Sequence, residues 1–285
     1  MLRLASLFFV LLAAGGIVSA QTLEGRLRKI ADTKSIAIAY RSDATPFSYT
    51  DDRQQPIGYT IDICRRIVAS LENQLGVQGL QVKWVPVTSQ NRFDTVASGQ
   101  ADMECGASTV TLSRMKVVDF SNYTFVESTG LLTTQKGGLR SLADLAGKRI
   151  AVVSGTTNER AVNDFNRRRA LKMIVVPLQT REEGVAALED GRVDAYASDK
   201  LLLLGAGLKA KHPRSLVILP DDLSIEPYAI ALPRGDAGMR LAVNTGLAQI
   251  YRDGEIGPIF GKWFGALGEP AALQQAVFIF GALSE

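Results

Sequence analysis

Short runs of branched and small apolar residues alternate with stretches of helical periodicity between residues 35 and 197. This alternation constrains the fold more than any other feature of the chain. Residues 35–40 read as a strand. Residues 60–75 read as a helix with Ile61, Cys64, Ile67, Val68, Leu71 and Leu75 on one side. A strand over 82–87, a short helix over 91–97 stopped by Gly99, and a strand over 101–105 follow. A second series starts near Gly130. Ser141 caps a helix over 142–145, then come a strand over 150–153, a helix over 157–169 and a strand over 174–178. A helix over 182–189 stopped by Gly191 and a strand over 193–197 complete it. Such alternation predicts parallel strands with helices on both faces.

One internal echo suggests two halves built alike. Val96-Ala97-Ser98-Gly99-Gln100-Ala101-Asp102 resembles Leu188-Glu189-Asp190-Gly191-Arg192-Val193-Asp194, each with a glycine helix stop before an aspartate that opens a strand. The length of 285 residues suits two domains. The tail reads as a strand over 228–232 and helices over 237–251 and 256–264, with Trp263 against a core. The apolar segment beyond Pro270 is expected to pack back on the first half.

The N-terminus reads as a secretory leader over 1–20: Arg3, an apolar stretch from Leu7 to Ile17, and Val18-Ser19-Ala20 as a cleavage site. The formal charge of +3 has no basic tract behind it and gives no sign of nucleic acid. The only histidine, His212, falls in a Lys-His-Pro loop, so neither a metal nor a cofactor is expected. Cys64 and Cys105 either pair in an oxidising compartment or sit as two buried small hydrophobes, and their spacing does not decide.

Arg41, Arg92 and Arg114 each sit in a loop or turn after a strand-like run. One carboxylate is matched by one guanidinium fork, so arginines converging on one cleft would suit a ligand with two carboxylates. Around them, Arg41…Pro46-Phe47-Ser48-Tyr49 and Gly58-Tyr59-Thr60-Ile61-Asp62 resemble the opening of a periplasmic solute-binding protein for polar amino acids. Thr88-Ser89-Gln90-Asn91-Arg92 and Glu104-Cys105-Gly106 are similar to its glutamate/aspartate-binding branch, and Ser154-Gly155-Thr156-Thr157 and Ala197-Ser198-Asp199 fit its second lobe.

The resemblance implies an α/β, two-lobe periplasmic binding-protein fold of type II, with mixed sheets flanked by helices and two hinge strands. Lobe 1 would comprise 21–128 and 228–285, and lobe 2 would comprise 129–227. Ligand would sit in the crevice at the carboxyl ends of strands. The protein would be a periplasmic monomer that delivers an acidic amino acid to an ABC permease of the inner membrane.

Residue by residue, the resemblance gives Arg114 and Thr109 to the ligand α-carboxylate and Asp199 to its ammonium. Thr156 and Thr157, at a helix start, would meet an anion. Gly106 and Ala107 would offer backbone groups, Ala107 standing where that branch has serine. Arg41, Ser89 and Arg92 would face the ligand side chain, and Phe47 would pack over its aliphatic part or sit as a core aromatic beside Pro46. Arg181, beside Thr180, stands where the branch has histidine, and either replaces its contact or points to solvent. Asp199 has a second reading as the N-cap of a helix from Lys200. Two other functions remain in view. One is a cyclohexadienyl dehydratase-like enzyme, for which Glu182 and Glu183 are the available acids. The other is a soluble sensor or scavenger.

Overall fold

The computed structural model describes residues 23–284, so the leader read over 1–20 lies outside the described residues. One nine-stranded sheet among them runs in the order Gln81–Val87, Ser35–Arg41, Met103–Glu104, Ser224–Pro233, Val118–Thr134, Ala195–Asp199, Arg149–Val153, Ile174–Leu178, with Leu216–Ile218 beside Val118–Thr134. The expected parallel pairing appears at both ends: Ser35–Arg41 with its two neighbours, and Arg149–Val153 with its two. The centre departs from that expectation. Ser224–Pro233 runs antiparallel to Val118–Thr134 from Ser224 opposite Thr129 to Pro233 opposite Val118. Ala195–Asp199 also runs antiparallel to Val118–Thr134, ending with Asp199 opposite Thr129.

Buried apolar side chains fall on either side of this central pair. Ile36, Ile38, Ile61, Ile67, Leu71, Ile230 and Val243 belong to one core, which draws on both ends of the described chain. Leu131, Ile150, Val152, Val162 and Ala197 belong to another, drawn from its middle. The helix Tyr59–Leu75 buries the side that its periodicity marks. The helices Thr157–Arg169 and Ile256–Phe264 and the strand Ile174–Leu178 coincide with their sequence readings. The strand read over 101–105 shrinks to Met103–Glu104: the Ala101 N–H turns back to the Thr95 carbonyl, while the Asp102 N–H bonds to the Ala37 carbonyl of the neighbouring strand. The segment past Pro270 forms the helix Ala272–Gly281 and packs on the first core through Phe278, which lies 5.5 Å from the Tyr251 ring.

The internal echo has a physical basis. Gly99 and Gly191 both take positive φ, 82° and 68°, where a side chain would be strained. Asp102 Oδ2 then accepts from the Ala37 backbone N–H at 2.8 Å, and Asp194 Oδ2 from the Arg149 N–H at 2.7 Å. Each aspartate thus ties the start of its strand to the neighbouring parallel strand.

Cys64 and Cys105 form a disulfide, which joins the helix Tyr59–Leu75 to the residue after Met103–Glu104 across 41 residues of sequence. Closing a loop of that size restricts the unfolded chain. The double variant Cys64→Ala/Cys105→Ala should lose about 3–4 kcal/mol of unfolding free energy. Urea titration would measure it, and reductant should reproduce the loss in the wild type but not in the variant.

Candidate functional site

Arg41 ends its strand and is 2% exposed. Its Nη1 donates to Ser89 Oγ at 2.9 Å and its Nη2 to Asp43 Oδ2 at 2.9 Å. Arg92 opens the helix Arg92–Ala97, is 3% exposed and lies over the Phe93 ring at 4.8 Å. Arg114 opens a 3-10 turn, donates from Nη1 to the Thr109 carbonyl at 2.7 Å and lies over the same ring at 4.9 Å. Burial lowers all three guanidinium pKa values. Arg41, further lowered by Arg181, comes to about 9, and Arg92, further lowered by Arg114, to about 10. Mutual influence of this kind places the arginines in one electrostatic neighbourhood.

Arg181 points inward, not to solvent. It opens the helix Arg181–Glu189, is 5% exposed, and donates from Nη1 to Asp43 Oδ2 at 3.1 Å. Burial opposes its charge, but Asp43 first and then neighbouring Tyr196 and Asp199 outweigh burial and raise its pKa. Glu182 and Glu183, the acids available to an enzyme, are exposed. Glu183 accepts from the Gln179 N–H as part of the helix start.

Asp199 does not cap the helix Lys200–Leu208 with its side chain. Its carboxylate instead accepts from Asn158 Nδ2 at 2.6 Å and from the Tyr228 hydroxyl. Thr157 donates to Glu226 Oε2 at 2.6 Å, as does Thr109 at 2.6 Å, and the two hydroxyls lie 3.3 Å apart. Thr156 departs from its expected role. Its hydroxyl donates to the Val153 carbonyl at 2.6 Å and accepts from the Glu159 N–H at 3.2 Å, so it serves as the helix cap. Phe47 also departs. Its fully buried ring packs edge-on against Tyr59, Phe125 and Tyr228 and tilted against Phe264, which places it in the first core and not over a ligand. Gly106 and Ala107 are buried at the base of the site, and a Cβ on Gly106 would collide with Glu104 Oε1.

Several site residues escaped the sequence reading. Asp43 lies only two positions after Arg41, in the two-residue strand Asp43–Ala44. Glu104, fully buried, keeps both carboxylate oxygens free of protein partners and, as a counter-charge, works against the lowering of the Arg41, Arg92 and Arg114 pKa values. Glu226 and Tyr228 come from the central strand Ser224–Pro233 and bond to Thr109, Thr157 and Asp199.

The two halves touch around this site. Besides Arg181 and Asp43, Gln90 Nε2 donates to the Ser154 carbonyl at 3.3 Å and Lys209 Nζ to Thr45 Oγ1 at 3.3 Å. Gly205 lies so close that an added Cβ would come within 2.5 Å of the Thr45 carbonyl oxygen. Arg41, Arg92, Arg181 and Asp199 are buried, and with Arg114 and Glu104 they lie within electrostatic reach of one another.

Residues 36–266 match the family model of bacterial extracellular solute-binding proteins, family 3. The chain is 35% identical over 238 residues to a glutamate/aspartate import solute-binding protein of Escherichia coli K12, an alignment that covers 84% of this chain and 79% of the relative. It is 34% identical over 248 residues to an L-glutamate/L-aspartate-binding protein of Pseudomonas aeruginosa, covering 87% and 82%. Among solved structures, an ancestral amino-acid-binding protein described as a precursor of cyclohexadienyl dehydratase superposes with a TM-score of 0.72. That match is 26% identical and covers 84% of this chain and all (100%) of the other. The chain belongs to the extracellular solute-binding proteins of family 3, and its α/β fold is that of the type II periplasmic binding proteins.

The environment of Asp199 generates a pH dependence. Burial first, and Glu226 second, raise its carboxyl from 3.8 to about 6. Folding therefore favours its protonated form. This stability is fully present below about pH 4 and is lost as pH rises through about 6. In ligand-free protein, the unfolding free energy of the wild type should fall relative to Asp199→Asn between pH 4 and 7, by up to roughly 3 kcal/mol. Urea unfolding across that range would check it, and parallel profiles for the two proteins would contradict it.

Proposed function

We propose that this family member captures an acidic amino acid, glutamate or aspartate, outside the cytoplasm and hands it to an ABC importer, without chemical change to the ligand. The observation that carries this reading is the gathering of Arg41, Arg92, Arg114 and Arg181 around one enclosure that also holds Asp199. A zwitterion with a second carboxylate complements that pattern.

In this reading Arg114 and the Thr109 region take the α-carboxylate by charge-assisted hydrogen bonds. Asp199, oriented by Asn158 and Tyr228, takes the ammonium, which would favour its ionised form. Arg92, with its Nε free of protein partners, and Arg41, backed by Ser89, face the side-chain carboxylate. The relatives named for glutamate and aspartate support the same choice. The protein would reach the periplasm by the leader over 1–20 and work as a monomer. Its lobes would be 21–128 with 228–285, and 129–227, closing on the ligand by bending of the two central strands.

Calorimetry against glutamate, aspartate, glutamine and asparagine tests the reading directly. Binding of none of them to the wild type would remove it. Arg114→Ala should weaken all four ligands together, because the α-carboxylate is common to them. Arg92→Ala should lower the preference for acid over amide by about 2 kcal/mol, near thirtyfold, because a buried ligand carboxylate then loses its cation while a neutral amide does not. Equal losses for acids and amides in Arg92→Ala would take that arginine away from the side chain.

A further inference from the structure

We propose that Asp43 is a specificity-determining residue, a built-in carboxylate that occupies Arg41 and Arg181 and offsets part of the positive charge that meets the ligand side chain. The inference rests on the functional reading above, since it concerns which side chain that site accepts.

Three observations carry it. First, Asp43 receives guanidiniums from both halves of the molecule. Arg41 Nη2 lies 2.6 Å from its Oδ1, and Arg181 Nη1 lies 3.1 Å from its Oδ2. Second, the group is enclosed: the side chain of Asp43 is 17% exposed, and those of Arg41 and Arg181 are 3% and 6% exposed. In such surroundings an ion pair is weakly screened, so the carboxylate is felt at short range in full. Third, Arg41 reaches the site with both terminal nitrogens already on protein groups, Nη1 on Ser89 and Nη2 on Asp43. A ligand carboxylate therefore meets an arginine whose charge is in part answered.

Two buried guanidiniums facing each other without Asp43 would repel, and Arg181 is the leading charge that disfavours protonation of Arg41. Asp43 thus makes a third side-chain-facing arginine compatible with closure. It does so at the cost of a pure acid preference, because the same carboxylate repels an acidic ligand side chain and tolerates an amide. The other charges around the group are Glu104 and Arg92 near Arg41, Asp199 near Arg181, and Glu182, Glu189, Lys209 and Lys211, which line a cavity together with Asp43 and Arg181.

The test is the ratio of glutamate to glutamine affinity, read by calorimetry in the wild type, Asp43→Asn and Asp43→Ser. The proposal expects the ratio to rise about tenfold in the Asp43 variants, the size of effect expected when one close charge is removed from a partly dry site. Arg181→Ala serves as the opposite change, since it removes a cation and leaves Asp43, and it should lower the ratio. A purely mechanical tie between the halves would weaken acid and amide by the same factor. A ratio that is unchanged or lowered in the Asp43 variants therefore overturns the proposal, whatever happens to overall affinity. Failure of both Asp43 variants to fold would make the residue a structural one and overturn it as well. Wild-type protein that binds neither ligand would instead defeat the functional reading, and this proposal with it.

Discussion

Burying charge is the constraint on which this structure turns. Arg41, Arg92 and Arg181 are all nearly inaccessible, and an isolated buried guanidinium is too costly to keep. Each is held by something specific. Asp43 answers Arg41 and Arg181 by direct contact, Glu104 lies beneath as a second counter-charge, and the Phe93 ring carries Arg92 and Arg114. The carboxylates are constrained in turn. Glu226 accepts hydroxyls from Thr109, Thr129, Thr157 and Ser224, and Asp199 is fixed by Asn158 and Tyr228. The Nε atoms of Arg41, Arg92 and Arg181 are buried without a protein acceptor.

The same network couples the halves. Thr109 follows the strand Met103–Glu104 and Thr157 opens the helix Thr157–Arg169, and both give their hydroxyl protons to one oxygen of Glu226. Glu226 sits on the strand Ser224–Pro233, paired with Val118–Thr134. Any separation of the halves must break at least one of these bonds or turn the strand that carries the acceptor. The contacts of Gly205 with Thr45 and of Arg181 with Asp43 must break at the same time. The geometry of the site and the relative position of the halves are therefore not independent.

Much of the fold was legible because local signals and tertiary packing agree. The helix over 157–169 has a threonine cap, a glutamate reaching back to the Gly155 N–H and a basic last turn, and it needs no distant information to be placed. The central strands were less legible. Val118–Thr134 mixes Asp, Asn, Thr and Ser with apolar residues, because its environment changes along its length from one core to the other, and no single period describes it. At the site, the arginines and Asp199 could be read from a familiar order of motifs. Asp43, Glu226 and the role of Arg181 could not, since each is defined by a partner far away in sequence. Thr156 and Phe47 are a different case. Each has a ligand role and a structural role open to it in the sequence; local capping takes Thr156 and the aromatic core takes Phe47.

The first part of Val118–Thr134, up to residue 128, has a strand neighbour on one side only among the described residues. Its other side is closed by side chains. The Asn122 N–H donates to Asn244, the Thr124 carbonyl accepts from the Tyr59 hydroxyl at 3.0 Å, and the Val126 N–H donates to Gln274 at 3.0 Å. Three helices thus stand in for a missing strand. An open ladder edge invites another chain to add to it, and here that edge is blocked against self-association. Side chains from three helices, not a second ladder, satisfy the backbone along this edge.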